Sequence, residues 1–187
     1  MEDFLNQVKT RVFFDTEFTG LHQKTTLISI GLVAQTGEMF YAELIDYDHA
    51  QLNDWIVSNV TTKLYLNVKE NIANKKATFY KGSHSNLKHW ISQWMEQFDI
   101  VEMWSDCLAY DWVLFCHIFG SAFDIPKNIY YIPFDIATLF KERGVDPDIS
   151  REKFAYGEAY NEMLAKKHTA LWDAQTIKTC FEKLKTL

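Results

Sequence analysis

The sequence predicts an α/β fold in which helices flank one mixed β-sheet. β-Branched and aromatic runs near the N-terminus indicate three consecutive strands, and helical segments then alternate with a further strand. This order is typical of a sheet between two helix layers. The apolar residues of the first strands are nearly continuous, which indicates that helices cover both faces of the sheet. The chain has 187 residues, 48% of them apolar, so we expect a single domain over residues 1–187.

The strands are expected at residues 11–15, 26–34, 39–44 and 100–104. Turn-forming residues, Thr36-Gly37-Glu38, separate the second strand from the third. The first three strands should therefore form an antiparallel meander.

The helices are expected around residues 87–98, at residues 108–119 and after Thr169. The helix over 108–119 is apolar almost all round, which indicates a buried helix. Thr169 is a residue type that favours the N-cap position of the last helix. That helix has an apolar stripe that should pack against the sheet, made of Ala170, Ala174, Ile177, Phe181 and Leu184.

The segment from Lys63 to His89 is the least regular part of the sequence, and it is locally basic. One interpretation is a solvated loop. The other is a flap that faces phosphates, in which Tyr65, Phe79 or Tyr80 stacks on bases. Against the single acid Glu70 the segment carries Lys63, Lys69, Lys75, Lys76, Lys81, Lys88, His84 and His89.

Composition restricts the class of protein. A net charge of −6 argues against a protein that binds duplex nucleic acid mainly through many Lys and Arg contacts to phosphates. Cys107, Cys116 and Cys180 form no C-x-x-C pair, so they predict neither a disulfide framework nor a thiolate zinc site. The N-terminus lacks a secretory signal pattern and no apolar run is long enough for a bilayer, so we expect no membrane association and a cytoplasmic location.

Two carboxylates, Asp15 and Glu17, follow the apolar run of the first strand. Side chains alternate across a strand, so both acids leave the same face. Two charges about 4 Å apart at an effective dielectric of about 20 repel each other by about 4 kcal/mol, which a divalent metal would offset. The alternative for Asp15 is a helix N-cap.

Three further residues are candidates for the same site. Asp111 lies within an apolar helix, where an ionised carboxylate needs either a hydrogen bond, to Tyr110 or the backbone, or a metal that it shares with Asp15. Asp173 lies in the first turn of the last helix, where it could simply complement the helix dipole. His168 precedes that helix and is either a surface residue or a catalytic one.

The motifs together resemble those of the DEDDh exonucleases. That family has the pattern D-x-E-x-T-G-L, then a mid-chain Asp, then H-x-x-x-x-D. The corresponding residues here are Asp15-Thr16-Glu17-Phe18-Thr19-Gly20-Leu21, Asp111, and His168-Thr169-Ala170-Leu171-Trp172-Asp173. The resemblance covers nearly the whole chain and implies an RNase H-like fold, with the meander extended by parallel strands.

Within that superfamily, the chain is most similar to the small single-domain bacterial and phage 3′-5′ exoribonucleases. The similarity includes Trp55-Ile56-Val57-Ser58-Asn59-Val60 followed by Lys63-Leu64, and Glu102-Met103-Trp104 with Ala109-Tyr110-Asp111. There are two departures from the common pattern. Phe18 replaces a common Thr, and Asp106 stands where many members carry Asn, which makes Asp106 a substitute ligand candidate.

The resemblance implies hydrolysis of single-stranded RNA or RNA 3′ overhangs to nucleoside 5′-monophosphates by a two-metal mechanism. Two Mg²⁺ or Mn²⁺ ions would be held by Asp15, Glu17, Asp111 and Asp173, with His168 as the general base. The terminal nucleotide would contact the segment from Thr16 through Phe18 to Thr19 and the side chain of Leu21. Relatives of this type often form homodimers.

Two other functions fit the same motifs. The first is a 3′-5′ DNA exonuclease of the same superfamily, which differs in its response to the 2′-hydroxyl. The second is a catalytically inactive nucleic-acid-binding module on this fold.

Overall fold

A mixed β-sheet forms the centre of the protein. The structure, a computed structural model, describes residues 8–67 and 76–187. Within these residues the sheet has six strands, in the order β4-β3-β2-β1-β5-β6. The pairs β1–β2 and β2–β3 are antiparallel, and β3–β4, β1–β5 and β5–β6 are parallel. The strands are β1 (Lys9–Phe18), β2 (Leu27–Ala34), β3 (Met39–Leu44), β4 (Ala77–Gly82), β5 (Ile100–Ser105) and β6 (Phe134–Asp135).

Helices pack on both faces of the sheet, as the continuous apolar strands predict. Val12 and Phe14 of β1 belong to a core cluster with residues of α2 and α3, whereas Phe13 belongs to a second cluster with residues of α4, α5 and α7. In the described part of the chain, no helix is long and apolar enough to cross a membrane. The helices are α1 (Asp54–Asn59), α2 (His84–Met95), α3 (Ala109–Phe119), α4 (Ile136–Glu142), α5 (Arg151–Tyr156), α6 (Tyr160–Leu164) and α7 (Ala170–Leu184).

The predicted meander, the strand after it, the buried helix and the last helix are confirmed, with shifts at their ends. The first strand is longer than the predicted 11–15, since β1 runs from Lys9 to Phe18. The first predicted helix begins earlier, since α2 starts at His84 rather than near residue 87. Capping residues and edge pairing, which apolar periodicity does not report, explain these differences.

The prediction that residues 63–89 are irregular is wrong for the part that the structure describes. Single turns of 3₁₀-helix at Thr61–Lys63 and Tyr65–Asn67 open the segment, and β4 and the start of α2 fill its second half. β4 is an edge strand that is half-exposed, so its sequence lacks a strong apolar pattern. Lys69, Glu70 and Lys75 lie outside the described residues.

Gly31 lets the last helix approach the sheet closely. A Cβ atom at this position would lie 2.4 Å from backbone atoms of Ala170 and Leu171, the first residues of α7. Gly31 is also the β2 partner of Asp15 in the antiparallel register. The absence of a side chain at Gly31 therefore brings the N-terminus of α7 directly over the strand pair that carries Asp15.

Candidate active site

Asp15 and Glu17 project from the part of β1 that extends beyond its neighbour β5. The parallel register between these strands ends at the pair Phe13 and Trp104, while the pairing with β2 continues to Phe18. Asp15 therefore lies inside a strand, and the alternative that it caps a helix is wrong. Glu17 is 9% exposed. Because the two acids are two residues apart, they share the face of β1 on which α7 packs.

Asp111 binds the backbone of β1 just beyond the point where the pairing with β5 ends. The backbone N–H of Thr16 donates to Asp111 Oδ1 at 3.1 Å, and the Thr16 hydroxyl donates to the same oxygen. The Ser105 hydroxyl donates to Asp111 Oδ2 at 2.6 Å. The expected backbone hydrogen bond thus exists, with Thr16 as donor. The Thr16 N–H, which has no partner on β5, is thus paired with a side chain of α3. This contact fixes Asp111 next to Asp15.

The N-terminus of α7 brings a second pair of candidate residues to the same place. Oxygen or nitrogen atoms of Glu17, His168 and Asp173 all lie within 4.8 Å of one another, a spacing that could hold a metal ion. Asp173 Oδ2 also accepts the His168 backbone N–H at 2.9 Å. Thr169 occupies the N-cap position, but its side chain makes no capping hydrogen bond within the described part of the chain. Thr169 is thus the N-cap residue, as predicted, and the carboxylate of Asp173 restrains this end of the helix.

The four acids all have raised pKa values, and burial is the largest cause for each of them. Burial first, and then the charges of Asp111, Asp173, Glu17 and Asp106, raise the pKa of Asp15 well above its ordinary value. Burial is also the largest cause for the other three. The pKa rises to about 8 for Glu17, about 7 for Asp173 and about 6 for Asp111. Such a cluster favours bound protons or cations over four free carboxylates.

His168 lies in a different electrostatic setting, beside two lysines. Burial, followed by the charges of Lys167 and Lys63, lowers the pKa of His168. The imidazole is therefore neutral near pH 7 and able to accept a proton. Its ring meets the ring of Trp55 edge-on, with centroids 5.0 Å apart.

Two clefts meet at Asp15, His168 and Asp173. The first has a volume of about 390 Å³ and includes three of the predicted substrate contacts, Thr16, Phe18 and Leu21, together with Trp55 and Ile56 of α1. The second has a volume of about 410 Å³ and is bounded by Asp106, Arg151, Glu152 and Lys167. The three candidate residues thus lie where the two clefts join.

The predicted substrate residues differ in what their side chains are free to contact. Leu21 is 76% exposed at the edge of the first cleft. Phe18 stacks on Tyr110 of α3, with ring centroids 5.4 Å apart. Thr19 is 2% exposed, and its hydroxyl donates to Gln51 Oε1 at 2.6 Å and accepts the Thr26 N–H at 2.9 Å. Thr19 thus anchors the loop from which Leu21 projects.

Asp106 is already paired with a cation. Arg151 Nε donates to Asp106 Oδ2 at 2.8 Å, and the Arg151 Nη2 donates to Oδ1 at 2.9 Å. Because both oxygens accept hydrogen bonds from one guanidinium, this bidentate pair favours Asp106 as a wall of the second cleft over Asp106 as a substitute ligand.

The structure adds residues that sequence reasoning did not single out. Glu152 is 3% exposed and lies in the wall of the second cleft. Lys167 Nζ forms an ion pair with Glu152 Oε1 at 3.1 Å. Burial of Glu152 has no local signal in the sequence, because its helix α5 has only six residues. Lys63 is a further such residue, because the sequence indicates only that it belongs to a basic segment and to a family motif, whereas the structure places its ammonium on the Lys167 carbonyl.

Comparison with known proteins agrees with this geometry. The family model of the 3′-5′ exoribonuclease Rv2179c-like domain matches residues 10–184. The chain belongs to this family. The exoribonuclease is similar to two proteins of Mycobacterium tuberculosis, the 3′-5′ exoribonuclease Rv2179c of strain H37Rv and the 3′-5′ exoribonuclease MT2234.1 of strain CDC 1551. Each is 26% identical over 136 residues, which are 72% of this chain and 76% of the relative.

Proposed function

We propose that this exoribonuclease is a single-domain, cytoplasmic enzyme of the DEDDh type that uses two Mg²⁺ or Mn²⁺ ions. It removes nucleoside 5′-monophosphates from the 3′ end of single-stranded RNA or of an RNA overhang. The observation that carries the proposal is the convergence of Glu17, His168 and Asp173 within 4.8 Å of one another, beside the electrostatically linked Asp15 and Asp111.

The residues present fit hard divalent cations. Carboxylate oxygens are the donors that Mg²⁺ and Mn²⁺ prefer, and the raised pKa values of the four acids mark a site that lacks compensating positive charge. Asp15, Glu17, Asp111 and Asp173 would hold the ions. When bound, the ions would supply the positive charge that activates a water molecule and stabilises the leaving 3′-oxygen.

The side chains of the protein supply the proton transfer and the positioning. His168 is neutral at working pH and lies against the acids, so its imidazole can accept a proton from the attacking water. The first cleft, with Leu21 and Phe18 on one side and Trp55 on the other, would take the terminal nucleoside by apolar and stacking contacts. Thr16 and Thr19 would support this groove from within.

A digestion panel tests the proposal. Matched RNA and DNA strands with free 3′ ends are incubated with the protein and Mg²⁺, Mn²⁺ or a chelator, and the products are separated as mononucleotides. We expect metal-dependent release of 5′-monophosphates from RNA. Faster cleavage of DNA would indicate a DNA exonuclease, and binding without cleavage would indicate an inactive binding module. We also propose that the enzyme is a homodimer, which light scattering on the same sample tests.

A further inference from the structure

Lys63 reaches from a single 3₁₀ turn to the loop that carries His168. Its Nζ donates to the backbone carbonyl of Lys167 at 2.9 Å, a contact between residues 104 positions apart. We infer that Lys63 is a positioning residue that holds His168 where it can accept a proton. This inference rests on the proposed function, because it concerns the general base of that reaction.

The backbone at His168 needs such a restraint. His168 has a φ of +63°, a left-handed conformation that residues other than glycine rarely adopt. On one side, its own N–H is held by Asp173 at 2.9 Å. On the other side, the preceding carbonyl is held by Lys63. The two contacts together fix the peptide unit from which the imidazole projects.

Lys167 is held by its side chain as well as by its carbonyl. Its ammonium pairs with Glu152 Oε1 at 3.1 Å, and the Ser150 hydroxyl donates to Glu152 Oε2 at 2.8 Å. Glu152 is 3% exposed and therefore a fixed partner. The loop before α7 is thus tied to α5 on one side and to the segment that contains Lys63 on the other.

The segment of Lys63 also contacts the imidazole itself. Trp55, eight positions earlier, meets the His168 ring edge-on at 5.0 Å. The positive charge of Lys63 also opposes the rise in the pKa of Glu17 and contributes to the lowered pKa of His168. Trp55 and Lys63 therefore contact the ring of His168 and the carbonyl of the residue before it.

A double-mutant cycle tests the inference. Lys63→Met is made in the wild-type enzyme and in His168→Ala, and kcat and KM are measured on a short RNA. In the wild-type enzyme we expect kcat to fall about 10- to 100-fold, as for other residues that orient a functional ligand, with little change in KM. In His168→Ala the same substitution should cost less than about 2-fold, because groups that act as one unit are not additive.

Two variants control for charge and for stability. Lys63→Arg keeps a donor for the Lys167 carbonyl, so it should restore most of kcat. Lys183→Met removes a lysine that makes the same kind of contact at the far end of α7 from the site, with Nζ on the carbonyl of Phe154 at 2.9 Å. It should lower the melting temperature as Lys63→Met does and leave kcat unchanged. If Lys63→Met does not fold, Lys63→Ser, whose short polar side chain cannot reach the Lys167 carbonyl, serves in the same cycle.

Three results would overturn the inference. The first is an equal loss of kcat in the wild-type and His168→Ala backgrounds. The second is a rise in KM with kcat unchanged, which would indicate that Lys63 binds a phosphate of the RNA. The third is unchanged kinetics in Lys63→Met. If His168→Ala itself keeps full activity, the assignment of His168 as the general base fails, and the inference fails with it.

Discussion

Asp173 has two roles at the level of a single residue. Its carboxylate fixes the backbone of His168, and it lies with Glu17 in the cluster of candidate metal ligands. An asparagine in its place has the same shape and keeps an acceptor for the His168 N–H. The substitution Asp173→Asn therefore removes the charge and leaves the loop in place.

We expect Asp173→Asn to lower kcat about 10²-fold or more, because removing groups that merely support a metal ligand costs about 10- to 100-fold. Calorimetric titration with Mn²⁺ should show weaker binding. Hydrolysis at the wild-type rate would contradict the proposed metal site.

His168 is close enough to the acids to be either a base or a metal ligand. For His168→Ala we expect kcat to fall about 10²- to 10⁴-fold, the usual contribution of a general base, with Mn²⁺ affinity unchanged. His89→Ala, on the exposed side of α2, is the matched control and should have neither effect. Loss of Mn²⁺ binding in His168→Ala would show that the imidazole is a ligand instead.

The sequence was most informative about individual residues where a motif combined several of them. Asp15, Glu17, Asp111, His168 and Asp173 were all named as candidates, and the structure places them together. The sequence could not reveal that Glu152 is buried beside these residues, or that Arg151 pairs with Asp106. Both facts depend on the path of the chain between β6 and α7, which no local pattern determines.

At the scale of elements, the contact between β2 and α7 decides whether the site assembles. The N-terminus of α7 rests on Gly31, opposite Asp15. Any side chain at Gly31 must push α7 outwards, because the atoms it would meet are backbone. Asp173 and His168 would move with the helix.

We therefore expect Gly31→Ala to lower both the melting temperature and kcat, since a misplacement of about 1 Å can cost about 10²-fold in rate. Gly82→Ala is the matched control, because the nearest atoms to its Cβ would belong to the side chain of Tyr80 and not to the backbone. It should lower stability and leave kcat unchanged. Wild-type kcat in Gly31→Ala would show that the site tolerates a shift of α7.

Elements were predictable where burial left either a helical stripe or a continuous apolar run in the sequence. The stripe of α7 and the apolar runs of β2 and β3 are of this kind, and their bounds agree with the structure within one residue. β4 was missed because an edge strand needs little apolar surface. The short helices α1, α4, α5 and α6, of five to seven residues, are too brief for a helical period to stand out.

At the scale of the whole molecule, the acid cluster links stability to pH. The pKa of Glu17 rises from 4.5 to about 8 and that of Asp173 from 3.8 to about 7, so the metal-free folded protein binds protons more tightly than the unfolded chain. The stabilisation that these protons give is fully present below the unfolded pKa values. It is lost as pH rises through the folded ones.

In chelator, we therefore expect a lower melting temperature at a pH of about 8.5 than at about 5.5, and a smaller difference between the two pH values in Asp173→Asn.

Mg²⁺ at about 10 to 100 times its dissociation constant should add about 1.4 to 2.7 kcal/mol to the free energy of unfolding. The gain should be larger at the higher pH, since the metal competes with protons. Calorimetric melts with and without chelator measure both effects, and equal melting temperatures at the two pH values would contradict the first.

The extension of β1 beyond β5 has a consequence for synthesis of the protein. Asp111, from the middle of the chain, accepts the hydrogen bond of the Thr16 N–H on β1. His168 and Asp173, at the N-terminus of α7, join Glu17 of β1. In a nascent polypeptide the proposed active site is therefore incomplete until residues 168–184 have left the ribosome and folded over β2.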